Sequence, residues 1–117
     1  MTTTLLHITS EAAWSAARDQ GQYVPQAFAA EGFVHCSEPD QVVRVANARF
    51  VGRTDLVLLW ISVARLSAPV RYENLEGGDE LFPHVYGPVN LDAVVAATPF
   101  RPDSTGRFDA GNLLRES

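Results

Sequence analysis

Apolar residues at Leu5, Leu6 and Ile8 among polar ones over residues 4–9, "TLLHIT", predict a strand with Leu5, His7 and Thr9 on one face and Leu6 and Ile8 on the other. Ser10 then stands as N-cap of a helix through "EAAWSAARDQ", with Gly21 as its stop. "PQAFAAEG" reads as a helical turn opened by Pro25 and closed by Gly32, and "FVHC" as a second strand. In "SEPDQVVRVANARF" the period becomes helical: Val43, Ala46 and Phe50 recur on one side, behind Ser37 as cap, Pro39 in the first turn and Asp40 in a box-like start. After the turn "GRTD", the run "LVLLWISV" is apolar on both faces, which predicts the central strand of a sheet. "VRYEN" is a shorter strand, "LEGGDELFPHVYGP" a loop that becomes extended between two prolines, and "AVVAATPF" a last strand. Residues 101–117 read as a mostly exposed tail of the single domain 1–117. Helices are too few to cover a doubly wound sheet, so the expected fold class is α+β.

A chain of 117 residues buries one core and not two, and 46% apolar against 20% charged residues is a globular balance. The longest apolar run, "LVLLWISVA", is too short to span a bilayer, and "MTTTLLHITSEAAW" has neither the basic head nor the apolar stretch of a signal peptide. One cysteine allows no internal disulfide, so the expected location is the cytoplasm, without membrane association. All nine basic residues are arginine. The absence of lysine excludes Schiff-base and lysine-anchored pyridoxal phosphate chemistry, and a lysine-dependent phosphate loop. A net charge of -5 with scattered arginines offers no basic stripe for general nucleic-acid binding.

"EGFVHCS" sets His35 beside the only cysteine, Cys36. On a strand, neighbours point to opposite faces, so the two form neither a nucleophile–base pair nor a joint metal site, and Cys36 reads as core. Phe33, His35 and Ser37 share the other face. In "LFPHVYG", Phe82, His84 and Tyr86 share a face, and Pro83 favours extension of the residue before it. Each of His7, His35 and His84 has apolar or aromatic neighbours, a pattern equally suited to hydrogen-bonded core histidines and to three that converge on one pocket. Convergence allows a tri-histidine zinc site with water in the fourth position, although no HExxH-type spacing accompanies it. It also allows a polar pocket that orients a small ligand with Glu73 or Glu80 as carboxylate, either of which can equally be a surface charge.

The segments "LLHIT", "W", "G.Y", "EGFVHCS", the helix containing "AN", "YE", "FPHVYGP" and "F.PD..G.F" together resemble the bacterial domain-of-unknown-function family 952 over nearly the whole chain. More distantly, "HIT" at residues 7–9 resembles the "HGT" strand of the ADP-ribosyltransferase superfamily, and "GFVHCSEPDQVVRVANARF" its "GFY.S" strand and alanine-bearing helix. The resemblance implies a split mixed or antiparallel sheet with a few flanking helices, and NAD or a related nucleotide as the small ligand. It implies that His7 and Thr9 hold the nicotinamide ribose, that Phe33 and Ser37 lie at the cofactor, and that Tyr23 or Tyr86 stacks on a ring. His35, His84 and Glu73 become the catalytic candidates, and Arg44 a partner for pyrophosphate. The superfamily's late-strand glutamate has no evident equivalent: Glu80 falls on the loop side and His84 at the site itself. The implied activity is an NAD-utilising ADP-ribosyl transferase or a phosphotransferase-like enzyme, without a metal. A non-catalytic ligand-binding or partner module with the same three histidines is the alternative, and a histidine-ligated metal hydrolase the third reading.

Overall fold

A computed structural model describes residues 3–25, 28–74 and 78–109. The run that is apolar on both faces, β4 (Leu56–Ser62), is the middle strand of a sheet, flanked by β1 (Thr4–Ser10) and β8 (Val94–Pro99). Alternation splits these strands between two cores. Leu5, Val57, Leu59 and Ile61 pack with Ala17, Tyr23, Val34, Cys36 and Val85 on one side. Leu6, Leu56 and Leu58 pack with Val42, Ala46, Phe100 and Phe108 on the other. Each fully buried leucine or isoleucine contributes roughly 1.5–3 kcal/mol relative to exposure, so β4 stabilises both halves at once.

The helix α1 (Glu11–Gln20) is bounded by the expected residues: Ser10 Oγ accepts from the Ala13 N–H at 3.0 Å, and Gly21 adopts a φ of 89° that a side chain would strain. A single turn, α2 (Phe28–Glu31), stops at Gly32. A second three-stranded sheet has the order β3 (Val34–His35), β6 (Phe82–Val85), β5 (Val70–Glu73). A third, two-stranded sheet joins β2 (Gln22–Tyr23) to β7 (Val89–Asn90). Together they form a single α+β domain. Every strand pairing among the described residues is antiparallel, so no mixed sheet is present there.

Leu6 and Ser37 exchange both backbone hydrogen bonds at 2.8 Å and so tie the first sheet to the chain just beyond β3. This pairing overturns the expected start of the next helix. Ser37 is held extended against β1 and caps nothing. A Glu38–Gln41 turn intervenes, with Gln41 Oε1 accepting from the Glu38 N–H at 2.9 Å, and α3 begins only at Val42 and runs to Arg49. The "FVHC" strand is likewise shorter than expected, with two paired residues.

Residues 101–109 are mostly exposed, but Phe108 is buried and stacks on Phe100 with ring centroids 4.7 Å apart. Asn47 of α3 holds the Phe108 backbone from both sides, donating to its carbonyl at 2.9 Å and accepting from its N–H at 2.8 Å. Residues 26–27 of the predicted turn, 75–77 of the loop and 110–117 of the tail lie outside the described residues. No helix among the described residues is long and apolar enough to cross a membrane.

Candidate functional site

The pairing of β3, β6 and β5 sets the chemistry. His35 lies directly opposite His84, and Arg71 opposite His84 on its other flank. Glu73, two residues along β5 from Arg71, therefore sits on the same face, diagonal to His84. Glu73 Oε1 lies 2.9 Å from His84 Nδ1 and accepts from the Tyr86 hydroxyl at 2.5 Å. The hydrogen bond from Tyr86, and then that from His84, holds the Glu73 carboxyl below its ordinary pKa, while the same carboxylate pushes the Tyr86 hydroxyl up. An ionised Glu73 only accepts, so Nδ1 of His84 carries the proton between them, and Nε2 offers a lone pair whenever the ring is neutral. Nε2 has no hydrogen-bond partner among the described residues, although His84 is only 3% exposed. Phe33 stacks on the His84 ring with centroids 4.3 Å apart and planes inclined by 21°, and His35 meets it edge-on at 5.2 Å.

His7 is built differently. Its Nδ1 faces the His35 carbonyl, which only accepts, and its Nε2 lies 2.7 Å from the Tyr23 hydroxyl. Burial, aided by the nearby His35 charge and opposed by the carbonyl bond, lowers its pKa to about 4, so the ring is neutral at pH 7. A neutral ring that donates through Nδ1 must accept at Nε2, so Tyr23 donates to it and the Thr9 hydroxyl, 2.8 Å away, donates to Tyr23. Protonation of His7 reverses both hydroxyl bonds and makes Tyr23 the donor to Thr9. Burial also pushes the Tyr23 hydroxyl up to about 12.

Between β1, the chain after β3, α3 and residues 73–74 and 78–84 lies a cavity of about 560 Å³. His7, His35 and His84 all line it, with Ser37 and Glu73. The Ser37 hydroxyl has no hydrogen-bond partner among the described residues. Leu6, Ile8, Val45, Ala48 and Phe50 form an apolar wall, and Arg44, Arg49, Asp79 and Glu80 join Glu73 as the charged residues of the lining. Arg44 grips Glu80 through both terminal nitrogens, and Gln41 Nε2 adds a third donor at 3.1 Å. The Arg44 hydrogen bonds, then Gln41, hold the Glu80 carboxyl at about 2.

The remaining expected site residues stand behind this surface. Thr9 and Tyr23 support His7 from the core side. Tyr23 is 2% exposed, so its ring is a core element and not a platform for a ligand. Phe33 underlies His84, and Tyr86 contacts Phe33 while carrying the Arg71 guanidinium 5.2 Å over its face. Cys36 borders the cavity but is buried and packs into the core, where burial pushes its thiol up to about 12. The metal reading finds no ligand set. His7 already uses both ring nitrogens, and no group of three histidine, cysteine, aspartate or glutamate side chains among the described residues could hold a metal ion. The α3 wall and Gln41 were not foreseen; the helical recurrence of Val43, Ala46 and Phe50 showed an apolar stripe, but not that its flank faces a cavity.

Fold and site together define a small α+β domain built around a histidine-lined cavity with a carboxylate–histidine pair. The chain belongs to the family described as "Protein of unknown function (DUF952)", whose model matches residues 8–97. The X-ray crystal structure of protein CC0527 from Caulobacter crescentus is similar at 32% identity and a TM-score of 0.84, over 96% of this chain and 98% of that one. The solution NMR structure of CC0527 gives 31% identity and a TM-score of 0.83, over 97% and 98%. No match is found among curated proteins.

Proposed function

We propose that this protein is an acid–base enzyme acting on a small nucleotide-like ligand, with His84 as the proton acceptor and Glu73 as its partner. The ADP-ribosyltransferase-like reading of "HIT" and "GFVHCS" makes NAD the substrate to test first, and NAD would supply the ADP-ribosyl group. The observation that carries the proposal is the state of His84: Nδ1 committed to Glu73, Nε2 without a partner, the ring on the wall of the cavity. That arrangement fixes the tautomer and presents a base. When Nε2 takes a proton from an attacking hydroxyl or water, Glu73 stabilises the imidazolium, and the stacked face of Phe33 adds a cation–π contribution.

The cavity volume falls in the range of small-molecule sites, roughly 300–1,000 Å³. Its apolar wall suits a planar ring, and the Ser37 hydroxyl and His35 suit ribose hydroxyls beside His84. His7 acts through position: its bond to the His35 carbonyl and its own neutral ring set the floor of the cavity. Catalysis of this kind rests on orientation and proton transfer, for Cys36 is no nucleophile at a pKa of about 12.

Thermal melting of the purified protein against NAD, ADP-ribose and nicotinamide tests the proposal. A ligand at about a hundred times its Kd stabilises the fold by roughly 2.7 kcal/mol, several degrees for a domain of this size. The expected result is a shift with NAD or ADP-ribose and release of nicotinamide, with His84→Ala keeping the shift and losing the release. NAD binding without consumption would make the cavity a binding module. A cooperative melt that none of the three ligands moves would overturn the nucleotide reading.

A further inference from the structure

Glu80 sits in an arrangement of donors that matches an oxyanion better than it explains an ion pair. Arg44 Nη1 lies 2.9 Å from Oε1 and Nη2 2.6 Å from Oε2, a two-pronged grip of the kind guanidinium makes on carboxylates and phosphates alike. Gln41 Nε2 reaches Oε2 as well, and it is fixed in that role: Gln41 is buried, its Oε1 is taken by the Glu38 N–H, and Nε2 also donates to the Leu81 carbonyl at 2.8 Å. Arg44 and Glu80 both line the cavity, yet their side chains are 62% and 40% exposed. Both side chains are open to water, so a competing oxyanion can reach the Arg44 fork and Glu80 can turn out into solvent.

We propose that Arg44 and Gln41 form an anion subsite on the cavity wall, occupied by the chain's own Glu80 until a phosphate or pyrophosphate group of the ligand displaces it. Charge on the wall supports an exchange over simple addition. Two arginines, Arg44 and Arg49, face three carboxylates, Glu73, Asp79 and Glu80, so an incoming polyanion meets net repulsion unless Glu80 leaves. With Glu80 turned to solvent, cations and carboxylates balance and the Arg44 fork is open. Asp79 stays on the wall and limits how tightly a multiply charged group is held. The subsite therefore selects phosphorylated ligands over nucleosides, with Glu80 as competitor. The inference rests on the cavity being a ligand site, but on no catalytic role for His84.

Isothermal titration of the full chain with inorganic pyrophosphate, and with adenosine as an uncharged probe of the same cavity, tests it. Glu80→Gln is expected to bind pyrophosphate about tenfold tighter than the parent, and Arg44→Gln to lose it, while adenosine affinity is unchanged in both. Both side chains are exposed, and equal melting temperatures will certify the fold. Equal pyrophosphate affinity in the parent and Glu80→Gln would overturn the exchange, as would Arg44→Gln that binds as the parent does, or no pyrophosphate binding at all. His84→Ala separates the two proposals: it leaves pyrophosphate binding intact here and abolishes turnover there.

Discussion

Burial holds His7 neutral, and that commitment gives the fold a pH dependence. Its pKa falls from 6.5 to about 4 on folding, so between those values the unfolded chain takes up a proton that the folded chain refuses. Stability from this residue is therefore complete above pH 6.5 and lost as pH falls toward 4, by about 3 kcal/mol in all. Urea unfolding from pH 7.5 to 4.5 is expected to show this slope in the parent and a flatter one in His7→Gln, which also loses about 1–3 kcal/mol at pH 7 with its hydrogen bonds. Parallel slopes would mean that His7 is not the group responsible. The same burial silences Cys36. With a pKa of about 12, its thiolate fraction at pH 8 is on the order of one in ten thousand, so a disulfide reagent is expected to react only as the protein unfolds. A native-state reaction as fast as that of free cysteine would contradict this.

At the scale of elements, two serines that look alike in sequence have opposite parts. Ser10 caps α1, so Ser10→Ala is expected to cost about 1 kcal/mol in chemical denaturation. Ser37 pairs with Leu6 through its backbone and caps nothing, so Ser37→Ala is expected to stay within about 0.5 kcal/mol, with helix content by circular dichroism unchanged. Equal losses in the two variants would restore Ser37 as a cap. The contrast locates what the sequence can tell. A cap and a glycine stop are local chemistry, and α1 was legible from Ser10 and Gly21; β4 was legible because only a doubly covered strand is apolar at successive positions. Ser37 was misleading because the same short polar side chain serves a cap or a bridge, and the choice belongs to Leu6, thirty-one residues away. The site follows the same rule. That His84 and Glu73 lie on strands could be read locally. That they meet depends on the register of β5 on β6, and the register is fixed across a loop with no pattern of its own. Strands β2 and β7 pair over two residues each, too few for any period to be seen, yet β2 is what brings Tyr23 to His7.

For the molecule as a whole, the decisive feature is that the cavity lies beside the first sheet and borrows a wall from each core. Leu6 and Ile8 belong to the face that packs on α3, while His7 between them turns to the other face and to Tyr23. The wall opposite, α3, is held in place from the far end of the chain: Asn47 clamps the Phe108 backbone, and Phe108 stacks on Phe100 against Val42 and Ala46. The motif "F.PD..G.F" thus serves the cavity without touching it. Phe108→Ala removes a buried ring and is expected to cost about 3 kcal/mol in urea unfolding. Asn47→Ala unties the same contact without emptying the core and is expected to cost about 1–2 kcal/mol. If the segment is a brace for α3, both variants weaken NAD or ADP-ribose binding as well as stability, while Ser10→Ala, comparable in cost to Asn47→Ala but acting on the cap of α1, leaves binding alone. Loss of binding in all three would reduce the effect to general destabilisation; loss in none would make residues 101–109 a surface strap with no bearing on the cavity.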